Sequence, residues 1–298
     1  MVKIFFVASE GLKVTHWFEQ IIKRIPNAEL VATWQDCDIV CVGDVTTNKQ
    51  SANVLLISLY CQRYSQKPII MFVHDDPDQD MAFVPALVKS VHFFRTSLLK
   101  SQQKSYESLL PSFQCQDNTI QPLKPIPNIA PDKPIKVGFI GAPTSPDRKE
   151  LCNLLKSDPR FETQFVMRNA FHGAFKQQDQ KSHADEFQQN IRENLFQLCC
   201  RGTGNFSHRF YEVLASGRVP VLPNTDMVIP SHIPRDVWIN CVVMASNVAT
   251  IPDAIFAFYN CHDMEIVQQN CALMWKTYLS YEGFAPIVQA QIEAMIPS

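Results

Sequence analysis

The sequence predicts an α/β protein in which two Rossmann-like domains, each built on a parallel sheet, are joined by a linker. Short apolar runs alternate with helical patterns in both halves of the chain. The 298 residues leave room for two ordinary domains, and 46% hydrophobic residues can fill two cores. Six prolines fall from Pro111 to Pro134, a density that helices and central strands do not tolerate. We therefore expect domains at residues 1–120 and 135–298, with 121–134 as the linker.

The N-terminal half contains five strand candidates separated by helical patterns. The most apolar candidate, residues 68–74, is followed directly by an acidic stretch from Asp75 to Asp80. Because strands and helices alternate, we expect a parallel sheet with helices on both faces. The predicted strands are 3–8, 29–33, 38–43, 68–74 and 91–95, and the predicted helices are 16–25, 53–64 and 98–110.

The C-terminal half repeats this alternation. Residues 183–198 combine a polar helix with an apolar end, and the tail from residue 252 is largely helical with breaks near Asn260 and Gly283. These patterns indicate a second α/β unit. Its predicted strands are 135–140, 162–167, 219–222 and 237–244, and its first predicted helix is 147–155.

The most informative segment is 199–222, where an apolar run meets a glycine-rich turn, a helix, and a second apolar strand. Gly202 and Gly204 allow the backbone to approach a ligand closely. Ser207 is placed to cap the helix that follows. The first N–H groups of that helix, near Asn205 to Ser207, together with the helix dipole make an anion site.

Charged residues extend this site. Arg201 and Arg209 supply positive charges that suit phosphate oxygens. Glu212 lies three residues after Arg209 and so shares its helix face, one turn beyond the phosphate site, where it can accept hydrogen bonds from ribose hydroxyls. The pattern indicates a nucleoside diphosphate site. Glycine-rich turns are nevertheless common, and Arg209 and Glu212 are equally compatible with a surface ion pair.

The string RGTGNFSHRFYEVLASGRVPVLPNTD resembles the C-terminal signature of the exostosin-like glycosyltransferases, RG-x-G-x-x-S-x-R-x-x-E-x-L-x-x-G-x-x-P-V. Every fixed position of that signature is filled. Weaker similarity covers residues 137–141 and Arg148 upstream, and 222–238 downstream. The resemblance implies that Arg201, Ser207, Arg209 and Glu212 bind the nucleotide of a sugar donor.

The resemblance also implies a GT-B fold and an inverting transfer. In that fold the donor lies on the C-terminal domain at the carboxyl ends of the strands, and the acceptor lies across a cleft against the N-terminal domain. We expect a nucleotide-sugar donor, with UDP as the carrier, and a hydroxyl of a glycan as the acceptor. Arg209 and other arginines would stabilise the leaving diphosphate, so no metal or other cofactor is expected.

Three further residues complete the predicted donor site. Arg148 lies in the first loop of the C-terminal domain, which faces the same cleft, and either meets the diphosphate or is a surface arginine. His208 either touches the donor or faces solvent. Asn224 follows the strand after the signature and is a candidate to border the sugar or the base.

The proton of the acceptor hydroxyl needs a base from the N-terminal half. Asp75 and Asp76 follow the 68–74 strand and are the favoured candidates; Glu10, His16 and His74 are alternatives. The same acidic stretch contains Asp-x-Asp pairs of the kind that hold a divalent metal in other glycosyltransferases. A solvated acidic loop is the third interpretation.

The composition and the residue pattern argue against several classes of protein. A net charge of −2 without a long basic run argues against a nucleic-acid partner. No apolar stretch reaches the ~18–20 residues of a membrane span, and the first residues are too quickly polar for a signal peptide. The ten scattered cysteines lack zinc spacing and fit a reducing compartment. We expect a cytoplasmic enzyme of bacterial or viral type.

Two alternatives stay open. A fucosyltransferase-like enzyme using GDP-fucose also combines a GT-B fold with a helix glutamate near a Gly-x-Val-Pro-Val sequence. A catalytically inactive nucleotide-sugar or glycan-binding protein would keep the donor loop and lack the base. Competition by GDP but not UDP favours the first, and donor binding without turnover favours the second.

Overall fold

The predicted fold class is confirmed: the computed structural model contains two parallel sheets, one of six strands and one of five, flanked by helices. It describes residues 1–8, 13–43, 50–74, 90–113, 120–130, 133–143, 145–169, 177–202 and 204–296. In the described residues no helix is long and apolar enough to cross a membrane.

The strands of the N-terminal sheet are β1 (Val2–Ala8), β2 (Ala28–Leu30), β3 (Ile39–Gly43), β4 (Ile69–Val73), β5 (Val91–Arg95) and β6 (Glu107–Leu109). Their order across the sheet is β2-β1-β3-β4-β5-β6, and all pairs are parallel. All residues of β3 and β4 are buried because helices cover both faces. The helices Lys13–Ile22 and Gln50–Arg63 lie on opposite faces, so alternate strand residues enter two separate cores.

The strands of the C-terminal sheet are β7 (Ile135–Gly141), β8 (Phe161–Met167), β9 (Phe196–Leu198), β10 (Val219–Pro223) and β11 (Val243–Ala245). Their order across the sheet is β11-β10-β9-β7-β8, again with parallel pairs throughout. The chain runs from β7 to β8 on one side and then crosses to β9 on the other, so the strand order reverses between β7 and β9. The helices around this sheet are Pro146–Ser157, Gln177–Glu193, His208–Ala215, Arg235–Ile239, Ile251–Cys261 and Met264–Met274.

The last helix, Tyr281–Met295, returns to the N-terminal sheet. It follows a π-helical turn, Trp275–Leu279, and Ser280 caps it by accepting a hydrogen bond from the Gly283 N–H at 3.0 Å. The Tyr281 ring stacks on Phe113 with centroids 5.0 Å apart. The boundaries predicted at 120 and 135 stay a prediction, but this helix, which they assign to the C-terminal domain, contributes to the N-terminal core.

The linker candidate is held against the C-terminal domain by side chains. The Gln268 side chain accepts from the Ile126 N–H at 2.9 Å and donates to its carbonyl at 2.8 Å. Arg218, which is only 2% exposed, donates to the Lys124 carbonyl at 3.2 Å and to Gln268 Oε1 at 2.9 Å. The described residues of this segment, 121–130 and 133–134, form neither helix nor strand, and these bonds hold residues 124–126 against the C-terminal domain.

Two predicted elements are wrong. Residues 98–110 form turns and then the edge strand β6, because Glu107 pairs with buried Arg95 at 2.6 Å on the neighbouring strand. Residues 237–244 divide into the end of helix Arg235–Ile239 and the short strand β11. The run is interrupted because the Val242 N–H bonds back to the Trp238 carbonyl at 3.0 Å, closing a helical turn over a buried indole.

Candidate functional site

The glycine-rich segment forms the predicted strand–loop–helix–strand unit. After β9 the loop closes on itself through the Gly202 N–H, which donates to the Phe206 carbonyl at 3.1 Å. The helix His208–Ala215 follows and ends at Gly217, whose φ of +67° lies in the left-handed region. A Cβ at Gly217 would lie 3.0 Å from the Gln268 carbonyl oxygen, so only glycine makes this turn without strain.

Arg209 spans the carboxyl ends of β7 and β9. Its guanidinium donates to the Ile140 carbonyl on β7 and, at 3.4 Å, to the Leu198 carbonyl on β9. The two strands are paired only as far as Gly138 and Gln197, so these carbonyls lie beyond the last ladder contact. Arg209 therefore occupies the opening where the strand order of the sheet reverses.

Arg148 spans the same opening from the first turn of helix Pro146–Ser157, which follows β7. It donates to the Ala142 carbonyl after β7 at 2.7 Å and to the Cys200 carbonyl after β9 at 3.0 Å. The Phe139 ring lies beside both arginines, with its centroid 4.7 Å from Cζ of Arg209 and 5.8 Å from Cζ of Arg148. The structure thus brings together Arg148 and Arg209, which are 61 positions apart in the sequence.

The two guanidinium groups concentrate positive charge at this edge. All the hydrogen bonds that they make within the described residues go to backbone carbonyls, and their Nε atoms are buried without a partner there. Burial lowers the pKa of both groups, yet a guanidinium keeps its proton at physiological pH. An anion placed here would gain charge-assisted hydrogen bonds in a poorly solvated setting.

Glu212 lies on the next turn of the helix after Arg209 and is 9% exposed. Burial raises the pKa of its carboxyl to about 7, and the nearby Arg209 opposes that rise. In the described part of the chain no side chain or N–H donates to this carboxylate. Its oxygens are thus able to accept hydrogen bonds from a ligand's hydroxyl groups.

Ser207 occupies the N-cap position with extended backbone, φ −140° and ψ 119°. The predicted cap bond is not made: the Ser207 side chain accepts no hydrogen bond from an N–H of the first turn. The Ser207 carbonyl accepts instead, from the Phe210 N–H at 3.1 Å. The hydroxyl and the first N–H groups of the helix lie at the same strand end as the arginines.

Asn205 and His208 contact the N-terminal domain. The Asn205 N–H donates to Ser97 Oγ at 2.8 Å, and its side-chain amide donates to the Leu98 carbonyl at 3.1 Å. His208 Nδ1 lies 2.6 Å from Ser112 Oγ. Asn205 was predicted to bind the donor, and His208 was predicted either to touch the donor or to face solvent; in this structure both residues connect the two domains.

The remaining donor-site candidates lie around the same loop. Arg201 and Gly202 are half-buried, and among the described residues a Cβ added at Gly202 would meet only the Phe206 carbonyl oxygen, at 4.0 Å. Gly204 is buried. Asn224 is exposed, and its side-chain oxygen accepts from the Asp226 N–H at 3.1 Å, which closes the turn after β10. A role for Asn224 beside the sugar or base stays a prediction.

The favoured base candidates, Asp75 and Asp76, lie outside the described residues, as does Glu10. His74 immediately precedes them and is described. Its ring makes an edge contact with Trp17, with centroids 5.2 Å apart, and stacks on His208 at 5.3 Å. Among the described residues no cluster of three or more His, Cys, Asp or Glu could hold a metal ion.

Sequence reasoning did not identify Ser97 and Ser112 as partners of the loop. Ser97 follows β5 by two residues, so its position at a strand's carboxyl end was a usable signal. Ser112 lies in the irregular chain after β6, where no local pattern marks it.

No protein-family model matches the chain, and no curated protein matches it. Among solved structures it is similar to one titled "Crystal Structure Analysis of the Glycotransferase of kitacinnamycin", with a TM-score of 0.43 and 10% identity over 99% of each chain. A likeness at this identity and TM-score assigns no function.

Proposed function

We propose that this chain is a glycosyltransferase that moves a sugar from a nucleoside diphosphate donor to a hydroxyl of a glycan acceptor, with UDP as the expected carrier. The arginine pair carries the proposal. Arg148 and Arg209 supply two guanidinium groups where the strand order reverses between β7 and β9. In open α/β sheets ligands bind in that crevice, and paired guanidinium groups suit a diphosphate. The similarity of the loop to the exostosin-like signature supports the same assignment.

The residues divide into phosphate and ribose contacts. Arg148, Arg209, the Ser207 hydroxyl and the first N–H groups of helix His208–Ala215 would bind the diphosphate. Glu212 would accept hydrogen bonds from the ribose hydroxyls. Arg201, half-buried at the start of the loop, adds a further positive charge.

The proposed reaction is a single displacement with inversion. The acceptor oxygen attacks the anomeric carbon while the bond from that carbon to the β-phosphate oxygen breaks, and a base takes the hydroxyl proton. Negative charge builds on the leaving phosphate, and the arginines and helix N–H groups stabilise it. Asp75 and Asp76 are the proposed bases because they follow β4 of the N-terminal domain. No metal is assigned a role.

The test is a transfer assay preceded by a nucleotide screen. UDP, GDP and CMP are tested by thermal shift with and without EDTA, since a ligand at ~100 times its dissociation constant adds about 2.7 kcal/mol of stability. Sugar derivatives of the nucleotide that stabilises are then incubated with glycan acceptors, and the product anomer is read by NMR. We expect EDTA-insensitive stabilisation by UDP and an inverted product.

Each other outcome has a defined meaning. Stabilisation by GDP alone would favour the fucosyltransferase-like alternative, and binding without transfer would favour the inactive binding protein. No stabilisation by any nucleotide would contradict the proposed function.

A further inference from the structure

The donor loop is attached to the N-terminal domain at Asn205. This residue is buried and makes two bonds to the segment after β5: its N–H donates to Ser97 Oγ at 2.8 Å, and its side-chain amide donates to the Leu98 carbonyl at 3.1 Å. The Asn205 N–H is therefore already bonded and is not among the donors left for a phosphate.

A second attachment lies three residues further along, at His208. Ser112 Oγ lies 2.6 Å from His208 Nδ1, and the His208 ring stacks on His74 with centroids 5.3 Å apart and planes 30° apart. Burial lowers the pKa of His208 to about 3 and that of His74 to about 4, so both rings are neutral near pH 7 and stack without repulsion.

The same N-terminal segment also contacts the loop after β10. The Ser101 N–H donates to the Asp226 carboxylate at 3.1 Å, and the Lys100 N–H donates to the Asp226 carbonyl at 2.7 Å. Leu99 and Met227 form an antiparallel bridge between the two loops. One N-terminal segment, 97–101, thus contacts both C-terminal loops that leave the carboxyl ends of β9 and β10.

These attachments flank the proposed phosphate contacts. Ser207 lies between Asn205 and His208 in the chain, and Arg209 follows His208 directly. A segment whose neighbours are already fixed loses less conformational entropy when a ligand binds, and this preorganisation raises affinity.

We propose that Ser97 and Ser112 are positioning residues of the donor site, which hold Asn205 and His208 and so fix Ser207 and Arg209 for the diphosphate. Donor affinity then depends on two N-terminal hydroxyl groups that do not touch the donor. The proposal rests on the proposed function, since it requires a nucleotide at this loop. If the attachments serve only to join the domains, nucleotide affinity is independent of them.

The test uses the full chain and a matched pair of variants. Ser112→Ala removes the hydroxyl at His208, and Ser108→Ala removes a hydroxyl that lies 3.0 Å from His92 Nε2 within the N-terminal domain. Amide hydrogen exchange of residues 201–210 is measured without nucleotide, and UDP or GDP affinity is measured by calorimetry. Ser97→Ala is added alone and combined with Ser112→Ala, and Ser112→Thr restores a hydroxyl.

We expect faster exchange at 201–210 in Ser112→Ala and not in Ser108→Ala. One neutral hydrogen bond contributes about 0.5–1.5 kcal/mol, so each single variant should weaken nucleotide binding roughly 2- to 12-fold. The double variant should weaken binding further, and Ser112→Thr should recover most of the affinity.

Two results would overturn the inference, and they are distinguishable. Wild-type nucleotide affinity in the double variant would contradict the positioning role while leaving the proposed function intact. No nucleotide binding by the wild type would contradict both, and the exchange data would then report only how the domains are joined.

Discussion

Arg148 and Arg209 each bridge the chain after β7 to the chain after β9, Arg148 from the helix that follows β7 and Arg209 from the helix that follows β9. Arg209 donates to the Ile140 and Leu198 carbonyls. Arg148 donates to the Ala142 and Cys200 carbonyls, each two residues further along the chain. These bonds orient both guanidinium groups but do not neutralise them. The result is a pair of oriented positive charges at the point of the sheet where ligands bind in related folds.

The first prediction concerns the number of phosphates. Because charged hydrogen bonds contribute about 1.5–3 kcal/mol each, Arg148→Gln and Arg209→Gln should each weaken binding of a nucleoside diphosphate by roughly 10- to 150-fold. The preference for the diphosphate over the monophosphate should shrink in at least one of them. Calorimetric titration measures both, with Arg235→Gln as the control because Arg235 is exposed and lies outside the site. Equal losses in all three variants would refute the assignment.

The second prediction concerns Glu212 and pH. Its pKa is raised to about 7 in the folded protein, from an ordinary value of 4.5, so between these values the folded state binds more protons than the unfolded state. The contribution of Glu212 to the free energy of unfolding therefore falls as pH rises through this window and is constant outside it. The free energy of unfolding of the wild type minus that of Glu212→Gln should fall by about 3 kcal/mol between pH ~4 and ~8. Urea unfolding of both proteins across this pH range measures the difference. A difference that does not change with pH would contradict a buried, poorly solvated carboxyl at Glu212.

The third prediction contrasts two glycines of the loop unit. Gly217→Ala should destabilise the fold by about 1–2 kcal/mol, because φ is +67° and the new Cβ would meet the Gln268 carbonyl at 3.0 Å. Gly202→Ala should barely change stability, since the nearest atom of the described residues would lie 4.0 Å from the new Cβ. Gly202→Ala should instead weaken nucleotide binding by filling space beside the loop. Thermal unfolding and nucleotide titration of both variants distinguish the two roles, and the reverse pattern would exclude them.

The fourth prediction concerns Gln268, which holds both the linker and a buried arginine. Gln268→Leu removes the acceptor for Arg218 and two bonds to Ile126, and should cost about 2–4 kcal/mol of unfolding free energy. Gln189→Leu, at an exposed helix position, is the control. Chemical denaturation measures the loss. If Gln268→Leu lowers the free energy of unfolding no more than the control does, the linker contacts contribute little to stability.

Much of the fold is predictable because local patterns and tertiary packing agree. The fully apolar runs 39–43 and 69–73 are buried strands, and the glycine-rich segment is followed by a helix as predicted. Where the two disagree, the sequence misleads. Residues 98–110 have a helical pattern, yet Glu107 is drawn to the sheet edge by Arg95, a partner twelve residues away that local periodicity does not reveal.

The arrangement of the candidate site is predictable to a similar extent. The loop motif selects Arg209 and Glu212 as candidates, and the proximity of Arg148 to Arg209 follows from the rule that strand ends of one parallel sheet share an edge. The contacts of Asn205 and His208 do not follow from the loop motif or from this rule. They depend on how the N-terminal domain packs against the loop. Their partners Ser97 and Ser112 lie 108 and 96 residues away.

The most direct test is a crystal structure with the nucleoside diphosphate that stabilises the protein. The account predicts that the phosphate oxygens lie within hydrogen-bond distance of Arg148 and Arg209, between the carboxyl ends of β7 and β9, with a ribose hydroxyl on Glu212. A nucleotide bound elsewhere, or phosphates that contact neither arginine, would contradict the central claim.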